Sequence, residues 1–237
     1  NIETEKPRFE DGQKRFTQIQ MRVGSFGYFT PALRHWQSLG ERTRLSVDAN
    51  YQRADGEYPF ELKNGQLITE EKRINTDIES VQGEANLFHT FQDESELNVK
   101  TYYFHSQRGL PGAVILYNKE SDERLWDDNF FAQARYKKVF NPQWTLQAQG
   151  KYNYSWNKYE DTGAEYVGGK QTDTNRQKEY YLSASVLYQP VKGWSLSLSQ
   201  DGFINKLHTN GTNSPEPTRY SSLTALNIRY QQNRWKV

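Results

Sequence analysis

The sequence predicts an all-β chain, an antiparallel up-and-down meander of about ten long strands forming part of a transmembrane β-barrel. Three observations carry this expectation: long runs with one apolar face and one polar face, connections that alternate between short and long, and the lack of any helix-period segment between them. The clearest stretch is 128–156, where strand-like runs 129–140 and 143–156 meet at Asn141-Pro142. In the second run Trp144, Leu146, Ala148, Gly150, Tyr152, Tyr154 and Trp156 share one parity, and Thr145, Gln147, Gln149, Lys151, Asn153 and Ser155 share the other. Successive side chains point to opposite faces of a strand, so one face is apolar or aromatic throughout and the other polar. Strands of soluble domains usually run to about 5–6 residues, and this one is far longer. Aromatics at both ends with small residues between them match a membrane-facing strand, an apolar band between two aromatic girdles.

The remaining elements follow in order. Residues 15–23 alternate as a strand, Gly24-Ser25-Phe26-Gly27 form a tight turn, and 28–37 return, with Pro31 suited to a strand end. After a turn around Gly40, 43–53 sets Leu45, Val47, Ala49 and Tyr51 against Ser46, Asp48, Asn50 and Gln52. A long polar stretch, 54–75, reads as a loop because of Gly56, Pro59, Asn64 and Gly65. Strands are expected at 76–91 and 96–107, joined by a short acidic turn, and a second long loop at 108–127. The 129–156 hairpin precedes a third loop at 157–176, strands at 178–189 and 194–208, a fourth loop at 209–218 and a last strand at 220–230. In an outer-membrane barrel the short turns lie on the periplasmic side and the long loops outside.

Composition narrows the function classes. The net charge of +1 gives no electrostatic footprint for nucleic acid. The chain of 237 residues has no cysteine, which excludes a disulfide scaffold and thiolate metal sites. Mean hydropathy is strongly negative, and no run approaches the ~18–20 apolar residues of a spanning helix. A barrel tolerates that composition, since half of each strand faces a polar lumen. The sequence opens at Asn1 without a leader pattern, as expected of a mature chain or an excised piece.

Several stretches resemble the barrel region of TonB-dependent outer-membrane receptors. Asn1-Ile2-Glu3-Thr4-Glu5-Lys6-Pro7 is similar to the strand that closes the plug domain of that family, and Val23-Gly24-Ser25-Phe26-Gly27 to its first barrel hairpin. Arg108-Gly109-Leu110-Pro111-Gly112, with Glu123-Arg124-Leu125-Trp126-Asp127 and Asn129-Phe130-Phe131-Ala132, resembles the third extracellular loop and its return strand. The resemblance spans the chain and is to receptors of the Bacteroidetes, in the branch related to cobalamin and siderophore receptors. It implies a last plug strand at 1–7 and the first part of a barrel at 8–237. The family's barrel has about 22 strands, within the range of outer-membrane barrels. The implied function is TonB-dependent uptake of a siderophore, haem, cobalamin or similar scarce nutrient across the bacterial outer membrane. The implied partners are the plug domain, the TonB energy-coupling complex, outer-membrane lipid and the small-molecule ligand. A piece of a barrel also presents open strand edges through which it is expected to self-associate.

No catalytic constellation, phosphate loop or cofactor motif stands out, and no enzyme activity or cofactor is expected. The four histidines, His35, His89, His105 and His208, lack ligand spacing. The acidic group Glu120, Asp122, Glu123, Asp127 and Asp128 has the chemistry of a calcium loop without its twelve-residue pattern, and a solvated loop face is the simpler reading. Tyr102, Phe104 and Tyr181 share parity with polar residues and are expected to face the lumen; with Arg108 and Trp126 they are the ligand-facing candidates. Arg135, Lys137, Lys151, Gln147, Gln149 and Glu84 are expected to hydrogen-bond a plug. Two other readings compete. A complete small barrel would serve as an adhesin or surface-binding protein, and Ser106 beside His105, its only tempting nucleophile–base pair, points to opposite faces. A soluble β-sandwich or carbohydrate-binding domain fits neither the strand lengths nor the alternating connections.

Overall fold

The computed structural model describes residues 6–9, 12–113, 121–163, 168–211, 216–232 and 235–236. Most of the expected plug strand, residues 1–5, lies outside them. The described residues form β1 (Arg15–Val23), β2 (Phe29–Ser38), β3 (Thr43–Ala54), β4 (Tyr58–Asn64), β5 (Leu67–Arg73), β6 (Ile78–Thr90), β7 (Glu96–Leu110), β8 (Glu123–Asn141), β9 (Trp144–Asp161), β10 (Gln171–Tyr188), β11 (Trp194–Thr209), β12 (Thr218–Gln232) and β13 (Trp235–Lys236). Eleven of them make one antiparallel sheet in sequence order, while β4 and β5 pair only with each other and β3 passes over them to pair with β6.

The meander of long strands is as expected, with two corrections. The stretch 54–75 is not a plain loop: it carries the β4–β5 hairpin, closed at Gly65 with φ 62°. Asn64-Gly65 between two alternating runs is the hairpin signal that outweighs the loop composition of this stretch. The loops expected at 108–127 and 157–176 are shorter, because β7–β10 continue into them. Those extensions carry no apolar alternation, as expected where both faces of a strand meet water.

Residues paired across an antiparallel ladder share a face, so the registers sort every side chain. One row runs Tyr136, Ala148, Ala184; the next, Lys138, Leu146, Val186, Leu198, Leu226. At the short-turn end this face carries aromatic pairs: Trp144 stacked on Tyr188 at 4.2 Å and Trp194 tilted against Tyr230 at 4.9 Å between centroids. Farther up it carries Phe130, Tyr152 and Tyr180, with 5.2 Å between the two tyrosine rings. The other face is polar, with Arg34–Asp48 at 2.6 Å, Lys100–Glu84 at 2.9 Å and Asn86 Nδ2 donating to Ser46 Oγ at 3.0 Å. Phe88 is the one buried large hydrophobic among the described residues, whereas Ile19, Leu182 and Leu226 are 76%, 69% and 66% exposed. A water-soluble sheet of this size would hide such residues in a core; this one presents them as a continuous outer band.

The turns at 39–42, 91–95, 142–143 and 189–193 lie at one end, and the connections 55–77, 111–122, 162–170 and 210–217 at the other. The β1–β2 turn belongs to the long-connection end, where the Phe26 carbonyl accepts from the Asp55 N–H at 2.9 Å. In the 91–95 turn Asp93 accepts from Lys138 Nζ at 2.8 Å, from Ser95 Oγ at 2.6 Å and from the Ser95 N–H at 3.1 Å. The Lys138 ammonium first, then the two Ser95 donors, hold the Asp93 carboxyl well below the usual carboxylate range. A depressed folded-state pKa means that the contribution is complete above about pH 4 and is lost as pH falls through the folded value. Solvent screening at this exposed turn keeps the contribution small. NMR titration of the Asp93 carboxyl is expected to give a midpoint well below about 3.9, and Lys138→Met to raise it towards that value.

Candidate functional site

The polar face and the rim above it form the site. At the short-turn end, residues 6–9 lie against the polar face. Lys6 Nζ meets Glu96 Oε1 at 2.6 Å, and the Pro7 carbonyl accepts from Arg44 at 3.1 Å with Pro7 fully buried. Beside this segment is a cavity of about 770 Å³ lined by Lys6, Arg8, Lys100, Arg135, Lys137 and Gln149, among others. Of the residues expected to hold a plug, Arg135, Lys137, Gln147 and Gln149 line this cavity. Glu84 pairs with Lys100, and the Lys151 ammonium lies 5.1 Å from the Phe131 ring centroid.

Farther towards the long connections the polar face carries aromatics. Tyr102 stacks on Phe131 at 5.1 Å with 21° between planes. Tyr181, opposite Lys151, lies 4.6 Å from Phe203 and donates its hydroxyl to Asp201 at 2.7 Å. Phe104 lines a cavity of about 470 Å³ with Asp127, Asn129, Ser155 and Gln177. Arg108 pairs with Asp127 at 3.1 Å. Tyr102, Phe104 and Arg108 therefore stand on one side of β7, with Tyr181 on the same face three strands away.

Trp126 is placed differently. It lies within β8, not in a loop, and its register partner is Lys158 on the parity of the outer aromatic row. The Lys158 ammonium sits 4.5 Å from its ring centroid. Phe131, Phe203 and Asp201 were not singled out from the sequence, although Phe131 has the parity of Arg135 and Lys137. That parity was the available signal.

His105 and Ser106 part as expected: His105 Nδ1 meets Asp128 on the outer face at 2.7 Å, and Ser106 is fully buried on the inner one. Asp127 and Asp128 are divided between the two faces in the same way, and Glu120 of the acidic group lies outside the described residues. Among the described residues no group of three or more His, Asp or Glu is placed to hold a metal.

At the rim a clasp joins three elements. Asn75, with φ 55°, donates through Nδ2 to the carbonyls of Leu110 at 3.0 Å and Glu123 at 2.8 Å. The Gly109 N–H donates to the Asp77 carbonyl at 3.0 Å, and Arg124 grips both Asp77 oxygens at 3.1 and 2.7 Å. Arg73 adds a bond to the Gly112 carbonyl at 2.5 Å, tying the β4–β5 hairpin to the next connection. These part-buried and exposed polar contacts tie the rim connections to one another.

No family model matches the chain, and no curated protein matches it. Among solved structures it is similar to the siderophore receptor PiuA from Acinetobacter baumannii, at 8% identity and a TM-score of 0.59, over 94% of this chain and 40% of that one. It is also similar to a chain in the structure of the FpvAI–pyocin S2 complex, at 13% identity and a TM-score of 0.56, over 93% of this chain and 37% of that one. The chain spans well under half the length of either structure. What it shares with them is the fold, an all-β antiparallel sheet of the transmembrane-barrel type.

Proposed function

We propose that the chain forms part of the barrel of an outer-membrane receptor that takes up a scarce small molecule by TonB-dependent active transport. The observation that carries this reading is the inverted distribution of side chains: an apolar outer band between aromatic girdles, and a polar inner face with a cationic cavity of about 770 Å³. In this reading residues 1–7 end a plug domain and 8–237 are barrel, with the TonB-contacting segment outside this sequence. The placement of Lys6 and Pro7 against the inner face supports it, because a lumen-filling domain would meet the barrel there. The polar groups of the cavity suit a plug held by reversible hydrogen bonds, which moves without unfolding a core. The connections at 55–77, 111–122, 162–170 and 210–217 form part of the ligand mouth, with Tyr102, Phe104, Arg108 and Tyr181 below it. The ligand class is a ferric siderophore, haem, cobalamin or a similar nutrient, and the Bacteroidetes branch is the proposed origin. In isolation the chain would self-associate through β1 and the last strands, which end the sheet order.

The test uses the full reading frame that carries this chain, expressed in a Gram-negative strain stripped of its own receptors. Growth on one of these nutrients as the limiting source is expected, and it should vanish when TonB is deleted. Growth that is indifferent to TonB, or absence of the protein from the outer-membrane fraction, would overturn the reading.

A further inference from the structure

The outer face has a charge arrangement that transport does not require. On β10 and β11, Lys178 stands directly opposite Lys206, and Arg176 directly opposite His208. Like charges directly across a ladder repel, so the pair needs an anion to be favourable. The nearby carboxylates of the outer face are engaged: Glu216 by His208, Glu160 by Lys158 and Lys170, and Asp128 by His105 and Tyr103. Arg176, Lys178 and Lys206 are exposed and have no acidic partner among the described residues.

Their height on the sheet is informative. The ladder from Tyr188 to Tyr180 crosses the apolar band; at about 3.4 Å per residue and a tilt near 40° it rises roughly 21 Å. Lys178 and Lys206 are the next pair on this face beyond Tyr180 and Ile204, roughly 5 Å higher, and Arg176 follows. That is headgroup level, at the end where the long connections lie. Directly beneath is a groove of about 410 Å³ on β10–β12, bordered on this face by Tyr180, Leu182, Gly202, Ile204, Tyr220 and Ser222. The groove exists because Gly202 has no side chain between Leu182 and Ser222.

We infer that this is a binding site for a single anionic phospholipid whose headgroup carries no cation of its own, the phosphate on Lys178, Lys206 and Arg176 and one acyl chain in the groove at Gly202. The inference rests on the membrane reading above. The phosphate supplies the missing anion, and a lipid rather than free phosphate fits because the cation pair and the apolar groove are stacked in one line on the same strands. A snorkelling lysine alone needs no groove.

The experiment is native mass spectrometry of the full chain in non-ionic micelles doped with phosphatidic acid or with phosphatidylcholine of the same acyl chains, after its incorporation into vesicles has been verified. The expected result is retention of one phosphatidic acid, with inorganic phosphate at matched concentration competing poorly. Lys178→Gln with Lys206→Gln should weaken retention roughly thirtyfold. In undoped micelles the same pair should not lower the unfolding temperature, since a repulsion is removed. Gly202→Leu should also abolish retention while the chain still incorporates, because a Cβ there meets nothing closer than 3.9 Å. Equal retention of the two lipids, full competition by inorganic phosphate, or retention unchanged in both variants would overturn the lipid site and leave the barrel reading standing. Failure of the protein encoded by the full reading frame to enter vesicles would overturn both.

Discussion

Replacing Leu198 by Arg is expected to destabilise the chain in lipid vesicles by about 2–4 kcal/mol, the cost of an arginine at mid-bilayer on a barrel's outer face. Leu198 is 53% exposed, lies on the outer face between Val186 and Leu226, and is well inside the band that begins at Trp194 and Tyr230. In water an exposed leucine on a strand would tolerate the same change within about 0.5 kcal/mol. Ser199→Arg, one residue along and on the inner face, provides the control and is expected to cost no more than that. Urea titration of both variants in vesicles measures the difference. Equal costs at the two positions would mean that no lipid lies against the outer band.

Gly109→Val is expected to open the rim. A Cβ at this position would stand 2.5 Å from the Asn75 carbonyl oxygen and 2.7 Å from its carbon, both backbone atoms with little room to move. The clasp that Asn75 makes to Leu110 and Glu123 would part, taking the Asn75 donor from the Glu123 carbonyl while Leu110 keeps the Ser121 hydroxyl. Overpacking and the lost part-buried hydrogen bonds together predict a local loss of about 2–4 kcal/mol. Hydrogen exchange should show faster amides at the upper ends of β7 and β8, with the lower aromatic girdle unchanged. Asn75→Gly, which removes the bonds and tolerates the positive φ, should show the same pattern to a smaller degree. Protection unchanged in both variants would show that the rim does not depend on this contact.

The pattern of these two sites explains what was legible in the sequence. Leu198, like Leu146 and Leu182, sits where lipid imposes strict alternation, so strand, face and depth could be read from parity. Strand β1 was placed to the residue for that reason. Above the band that constraint ends. Residues 123–127 and 171–176 lack apolar alternation and read as loop, yet they extend β8 and β10 through ladder bonds and ion pairs that depend on distant partners such as Asp77 for Arg124. The inner site was half legible for a related reason. Parity put Tyr102, Phe104 and Tyr181 on the polar face, but only the register shows that Phe131 and Phe203 meet the two tyrosines. For Trp126 the loop reading concealed its parity, which groups it with the outer aromatics. The Asn75 clasp had no sequence signal, because it joins residues far apart in the chain through backbone carbonyls.

The order of the sheet also bears on how the chain reaches its final shape. Apart from the β4–β5 excursion, every strand pairs with its neighbours in sequence. The entropy of closing a loop grows with its length, so hairpins joined at 24–28, 39–42, 91–95, 142–143 and 189–193 close at the lowest cost. The pairings across 55–77, 111–122, 162–170 and 210–217 cost more and join hairpins that already exist. By this measure the chain divides into units of low closure cost, β1–β3, β6–β7, β8–β9 and β10–β11, joined across the longer connections. Each unit carries one apolar face, and its outer edges stay unpaired until the adjacent unit joins it.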